Sequence, residues 1–337
     1  MIQQAVDLLS NRKDLTQAQM MQAMEEIMSG LADTGHIAGF LAALSVKGET
    51  VEELTAAVSV MRRYAVKINA GKDIVLDTCG TGGDTKGTFN ISTAAAFVVS
   101  GCGITVAKHG NRSVSSKSGS ADILEALGVN INMDVPRIER CLNDIGIAFL
   151  FAPNMHPAMK YAIPARKQIG KRTMFNILGP LTNPAGAKYQ LVGVYDDSVR
   201  EKLARVLNNL GAIHALVVHG QDGLDEITTT QKTSVTQVKN GTLTNYEIDP
   251  IDFGFKYTRL EDLAGAGALE NAALLTDILK GTPGPKRDIV VLNAAAAIYT
   301  AMQAASIKEG LSLARDSIDS GAALKKLELL KKYSNEP

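Results

Sequence analysis

Residues 73–84 read Asp73-Ile74-Val75-Leu76-Asp77-Thr78-Cys79-Gly80-Thr81-Gly82-Gly83-Asp84, a short apolar run that ends in a cluster of glycines. A run of this length before a glycine turn predicts a buried strand. Residues 91–99 then read as a helix, and residues 104–108 as the next strand. Beyond a polar loop the alternation continues, with a helix at 121–127, strands at 147–151, 189–195 and 215–218, and a helix at 200–210. Strands alternating with helices predict a mostly parallel central sheet flanked by helices on both faces. Residues 235–238 and 243–248 flank Asn240-Gly241, the dipeptide that closes hairpins between right-twisted strands. From Leu269 the tail reads as helical, broken by Gly281-Thr282-Pro283-Gly284-Pro285.

Upstream of this pattern the first seventy residues carry no strand signal. Thr16-Gln17-Ala18-Gln19 and Thr50-Val51-Glu52-Glu53 fit the capping box, in which a hydroxyl and a later Gln or Glu satisfy free backbone N–H groups. Val51, Leu54, Val58 and Met61 then lie on one helical face, and Ile37, Phe40, Leu41 and Leu44 make a similar stripe. The expected fold is therefore α/β, with a small all-helical domain at 1–70 and a larger α/β domain at 71–157 and 187–337. The stretch 158–186 fits the alternation poorly, carrying Pro164, Pro180 and many basic residues, and is expected to return to the helical bundle. The apolar faces of that bundle exceed what one core needs, so part is expected to bury a partner subunit.

Across 337 residues, Lys plus Arg equals Asp plus Glu at 35 each, so no global field recruits nucleic acid or an anionic membrane. Cys79, Cys102 and Cys141 are odd in number and lack metal-ligand spacing, which points to reduced thiols buried as small side chains. The N-terminus lacks a basic region followed by an apolar run, and the longest apolar stretch, 94–99, is far too short to cross a membrane. A soluble, cytoplasmic protein is expected.

Three segments carry chemistry. Gly80-Thr81-Gly82-Gly83-Asp84 lies between a strand and a helix, where glycines let consecutive amides form an anion-binding nest. Asn90, Ser92 and Thr93 add polar atoms at the positive end of the following helix. This is neither a P-loop nor a dinucleotide fingerprint, and a tight turn with ordinary caps is the bland alternative. The second segment, Lys108-His109-Gly110-Asn111-Arg112-Ser113-Val114-Ser115-Ser116-Lys117-Ser118-Gly119-Ser120, follows the next strand, where open α/β sheets bind ligands. Its cations and hydroxyls suit phosphate oxygens, and Ser120 is expected also to cap the next helix; a solvated loop is the competing reading. The third is Asp225-Glu226, adjacent hard oxygen donors of the kind Mg²⁺ takes. Alone, such a pair is more often a solvated turn; beside two phosphate-cradling loops the reading reverses. Arg166 reads from sequence alone as surface charge, Asp196-Asp197 as a helix cap, and His156, His214 and His219 as core or surface residues.

Together with Thr88-Phe89-Asn90-Ile91-Ser92-Thr93 and Phe175-Asn176-Ile177-Leu178-Gly179-Pro180-Leu181-Thr182-Asn183-Pro184, these segments resemble the anthranilate phosphoribosyltransferases over most of the chain. The resemblance implies transfer of phosphoribosyl from phosphoribosyl pyrophosphate (PRPP) to the amine of anthranilate with release of pyrophosphate, the second step from chorismate to tryptophan. It implies PRPP contacts at Gly80, Gly83, Asp84, Thr88, Asn90, Ile91, Ser92, Thr93, residues 108–116 from Lys108 through His109, Gly110, Asn111, Arg112, Ser113, Val114, Ser115 and Ser116, and Ser120. It implies anthranilate contacts at Asn111 and Arg166, with Gly80, His109 and Pro180 lining the path. Mg²⁺, two ions being the expected number, would lie on Ser92, Asp225 and Glu226, and the chain would form a homodimer through its helical domain. Two other classes compete with this reading: a pyrimidine nucleoside phosphorylase, which needs no metal pair, and a non-catalytic nucleic-acid-binding paralogue, which should be basic. The acidic pair and the neutral charge balance argue against both.

Overall fold

The computed structural model describes residues 1–113 and 118–336. Four helices open the chain: α1 (Ile2–Ser10), α2 (Gln17–Met28), α3 (Thr34–Lys47) and α4 (Val51–Tyr64). Both capping boxes form. The Gln19 amide donates to Thr16 Oγ1 at 3.3 Å, and the Glu53 amide to Thr50 Oγ1 at 3.1 Å. Glu53 is fully buried and also accepts from the Leu15 amide and from Lys47 Nζ, both at 2.9 Å, so one cap fastens three parts of the bundle. A buried carboxylate is tolerable only with such partners.

The α/β part follows with β1 (Val75–Gly80), α5 (Ile91–Gly101), β2 (Thr105–Gly110), α6 (Ser120–Ala126), α7 (Val135–Arg140) and β3 (Ile147–Phe151). Then come α8 (Ala152–Met155), α9 (Ile163–Ile169), α10 (Phe175–Leu178), β4 (Tyr189–Gly193), α11 (Asp197–Asn209) and β5 (His214–Gly220). The chain ends with β6 (Thr233–Lys239), β7 (Thr242–Ile248), α12 (Ala268–Leu279), α13 (Pro285–Thr300), α14 (Ile307–Asp319) and α15 (Ala322–Asn335). Among the described residues no helix is long and apolar enough to cross a membrane.

Among the described residues seven strands form one sheet in the order β3-β2-β1-β4-β5-β6-β7, parallel from β3 to β5 and antiparallel beyond. Asn240 and Gly241 sit at φ 48 and 83, the paired left-handed turn that joins β6 to β7. Side chains of the central strands are buried on both faces. Leu76, Leu191, Leu216 and Val218 join one core with α5 and α13, while Cys79, Val192, Ala215 and Val217 join a second with α4 and α11. Each fully buried aliphatic side chain contributes roughly 1.5–3 kcal/mol. The second core continues into the four-helix bundle and takes in Ala162, Ala165, Met174 and Leu178 from the 158–186 arm, whose α9 packs on α3.

Chain direction across the sheet reverses at β1: β2 and β3 build outward on one side, β4 and β5 on the other. Such a switch point opens a crevice beyond the carboxyl ends of the strands. Two local expectations change. Gly119 occupies the N-cap of α6, and Ser120 is its first residue, its hydroxyl donating to the Asn111 carbonyl at 3.2 Å rather than capping. The strand expected to run to Tyr195 ends at Gly193, after which the Tyr195 amide turns to Thr81 Oγ1 at 3.1 Å. Asp196 does cap α11, accepting from the Ser198 amide at 2.9 Å.

Candidate active site

The crevice is a cleft of about 730 Å³, floored by the ends of β1 and β2 and walled by the arm. On the floor, Gly80 pairs with Gly193 in register between β1 and β4. A Cβ on Gly80 would come 2.5 Å from Asp225 Oδ2, and one on Gly193 would come 1.6 Å from the Asp225 carbonyl oxygen. Glycine at both positions therefore lets the acidic loop descend onto the strand ends. Gly82 and Gly83 turn the chain at φ 64 and 81, a region that costs L-residues energy. The Gly82 amide then donates to Asp225 Oδ2 at 2.8 Å. Gly193→Ala is expected to destabilise the fold by roughly 1–3 kcal/mol through overpacking. Wild-type stability in chemical denaturation would show that the approach is not tight.

Asp225 and Glu226 are half-buried on this floor. Glu226 Oε1 accepts from the Ser92 amide in the first turn of α5 at 3.1 Å. Burial, followed by the neighbouring Asp84 carboxylate, pushes Asp225 up to about 7. Burial and the Asp225 charge push Glu226 up to about 8. Clustered acids that resist ionisation are a donor set in search of a cation. Hard carboxylate oxygens at a polar cleft suit Mg²⁺, which completes its shell with water and phosphate oxygens.

Lys108 supplies the positive side. It is 4% exposed, and its Nζ donates to the Thr78 carbonyl at 2.5 Å and to Ser92 Oγ at 3.2 Å. Burial lowers its pKa, opposed by Asp77, which is buried behind it and accepts from the His109 amide at 3.1 Å. His109 is 6% exposed, and burial, then the His156 ring with its centroid 5.1 Å away, holds its pKa down to about 3. Its imidazole is neutral at physiological pH. Among the described residues His109 Nε2, Asn90 Oδ1 and Thr93 Oγ1 are buried at the cleft without a hydrogen-bond partner. Buried polar atoms in that state point to a ligand that completes them.

Most residues singled out in the sequence line this cleft. Gly80, Gly83, Asp84, Thr88, Asn90, Ser92, Thr93, Lys108, His109, Gly110, Asn111, Arg112, Ser113 and Ser120 border it, as do Arg166, Pro180, Asp225 and Glu226. Ile91 does not. Its side chain is 1% exposed in the core and its amide donates to the Phe89 carbonyl. Arg112 borders the cleft with its guanidinium already engaged by Asp122 at 2.8 Å and Glu125 at 2.5 Å. The Ser92 amide donates to Glu226 Oε1. Val114, Ser115 and Ser116 lie outside the described residues. Arg166 is half-buried on α9, its guanidinium carbon 5.7 Å from the Phe175 ring centroid. His156 and His214 are buried and His219 Nδ1 lies 2.7 Å from the Val194 carbonyl, away from any metal set. Sequence reasoning gave no role to Phe175, Arg172 and Tyr195, which also line the cleft; Phe175 opens the 175–184 motif, and no local motif marks the other two.

Comparison with known proteins adds identities to this geometry. Residues 3–65 match the glycosyl transferase family helical bundle domain, and residues 72–324 the a/b domain of the same family. The chain is 53% identical over 336 residues to an anthranilate phosphoribosyltransferase of Alkaliphilus metalliredigens, covering 100% of this chain and 99% of the relative. A namesake from Clostridium kluyveri is 51% identical, covering 99% and 100%. Among solved structures, the anthranilate phosphoribosyltransferase of Thermus thermophilus superposes with a TM-score of 0.94 at 41% identity, covering 98% of this chain and 99% of that one. The Saccharomyces cerevisiae enzyme in complex with PRPP and Mg superposes with a TM-score of 0.90 at 28% identity, covering 99% and 97%.

Proposed function

The chain belongs to the anthranilate phosphoribosyltransferases of the glycosyl transferase family, and from this we infer that it joins the amine of anthranilate to the ribose of PRPP and releases pyrophosphate. The observation that carries the reading is the convergence on one cleft of the glycine loop, Lys108 and the Asp225-Glu226 pair. Departure of pyrophosphate leaves positive charge on ribose C1 and gathers negative charge on the leaving group. Mg²⁺ bound there would neutralise part of the diphosphate charge. Lys108 Nζ sits where it can stabilise the rest, in a site dry enough to strengthen the interaction. Asp225 and Glu226 would hold the metal in this reading, and the Gly82 and Ser92 amides that they engage lie beside them on the same floor as donors for a diphosphate. Asp84 lies beside Asp225 and would add a third carboxylate near the metal, and two ions is the number this reading takes.

Anthranilate's aromatic amine is uncharged at neutral pH and needs orientation more than deprotonation. Arg166 and Asn111 are assigned to its carboxylate, with neutral His109 and Pro180 bordering its path. Alignment of the amine at C1 supplies about 7–11 kcal/mol in well-ordered intramolecular cases. Arg166→Ala is expected to raise the KM for anthranilate roughly 10- to 100-fold with kcat little changed, the loss of one charge-assisted pair. Unchanged anthranilate kinetics would remove Arg166 from the site.

In the same reading the 158–186 arm belongs with the helical bundle, supported by the packing of α9 on α3. We infer a homodimer through that bundle, where Leu31 and Val46 are 81% and 73% exposed. The transfer itself is tested by following loss of anthranilate fluorescence with PRPP and Mg²⁺; the chain has no Trp to interfere. Undiminished fluorescence with folded protein would refute the reading.

A further inference from the structure

Arg172 is exposed and plays no part in the assignments above. Gly170, at φ 62, ends α9 and turns the chain so that Arg172 crosses the mouth of the cleft. There its Nη2 donates to the Gly83 carbonyl at 2.5 Å. Its guanidinium carbon also lies 3.9 Å from the centroid of the Tyr195 ring, just beyond β4. Stacking on an aromatic face while donating in plane is a geometry that Arg supports and Lys does not.

The other end of the arm is fastened differently. Asn183, 2% exposed, donates from Nδ2 to Asp77 Oδ2 and to the Ala107 carbonyl, each at 2.8 Å, and the Pro180 carbonyl accepts from Gln190 Nε2 at 2.7 Å. Those bonds are buried. The Arg172 contact is solvent-exposed. It joins the arm carrying Arg166 to the loop whose Gly82 amide touches Asp225.

We propose that Arg172 is a positioning residue: through its paired contact with Gly83 and Tyr195 it ties the anthranilate side of the cleft to the diphosphate side, so that filling one side favours filling the other. Ordering of the glycine loop by a bound diphosphate fixes the Gly83 carbonyl, which fixes Arg172 and the arm behind it. The proposal rests on the transfer reading above.

The test measures anthranilate affinity by fluorescence titration of the full-length protein, with and without saturating Mg²⁺ and inorganic pyrophosphate, a pair that offers no ribose to react. In the wild type, Mg²⁺ with pyrophosphate is expected to tighten anthranilate binding about 5- to 10-fold, at the lower end of typical site-to-site coupling. Arg172→Ala is expected to bring that ratio near unity with an unchanged melting temperature, and Arg172→Lys to restore part of it. Tyr195→Phe, which keeps the ring, should couple as the wild type does. Wild-type coupling in Arg172→Ala would overturn the proposal, as would a wild type that binds both ligands independently; the transfer reading would survive either result. A wild type that binds neither ligand would refute that reading and this proposal with it.

Discussion

Replacing Lys108 by methionine is expected to lower kcat/KM for PRPP by roughly 10²–10³, about 3–4 kcal/mol, the loss seen when one preorganised donor to a developing anion is removed. Methionine keeps the apolar stem that β2 buries and deletes only the ammonium group. That group is 4% exposed and bridges the Thr78 carbonyl and Ser92 Oγ, at the junction of the glycine loop and the first turn of α5. Among the described residues Arg112 is already paired with two acids, and Arg172 stands at the mouth. Stability should move by no more than about 1–3 kcal/mol, because the Thr78 carbonyl loses a donor while a buried charge is removed. Steady-state kinetics beside a thermal melt separates the two effects. A variant with wild-type kcat/KM would show that Lys108 faces no developing charge.

The second large effect is expected from Asp225→Asn combined with Glu226→Gln, changes that keep shape and remove charge. Activity at saturating PRPP should fall by roughly 10²–10³, and the remainder should no longer respond to Mg²⁺. The melting temperature without metal should not fall, since burial and mutual repulsion already push these carboxyls up. The sign of the pH dependence follows. In the folded protein Asp225 stands at about 7 and Glu226 at about 8, above ordinary carboxylates, so the native state holds extra protons near neutrality. The contribution of these two groups to metal-free stability is therefore full below the ordinary carboxylate range and is lost as pH rises through 7 to 8. Mg²⁺, which needs the deprotonated pair, should bind more tightly across the same window and offset that loss. Thermal melts with Mg²⁺ and with EDTA between pH 6 and 9 measure both. Metal-free stability that rises with pH in that window would contradict the account, as would a double variant that still needs Mg²⁺.

Much of this was legible because the signals are local. The strand-glycine-helix run at 73–101, the two capping boxes and the Asn240-Gly241 turn each state their geometry within a few residues. Lys108 was legible because a strand ends beside it. What the sequence hid depends on residues far apart meeting. Gly193 looks like any strand glycine until the Asp225 carbonyl settles against it. Arg172 sits in a basic run on an arm with no periodic signal, and only the turn at Gly170 carries it to Gly83 and Tyr195. Ile91 shows the converse: it stands inside a motif read as ligand-binding, yet the helix that begins there turns its side chain into the core. Neighbours in a motif share a backbone path without sharing a face.

Calorimetric titration of PRPP into the protein, with Mg²⁺ and again in excess EDTA, tests the central claim most directly. Saturable heat that requires the metal and disappears when inorganic pyrophosphate is already bound is the predicted result. Equal heat in EDTA, or none in either buffer, would contradict a cleft in which glycine amides, Lys108 and the Asp225-Glu226 pair grip one metal-bound diphosphate.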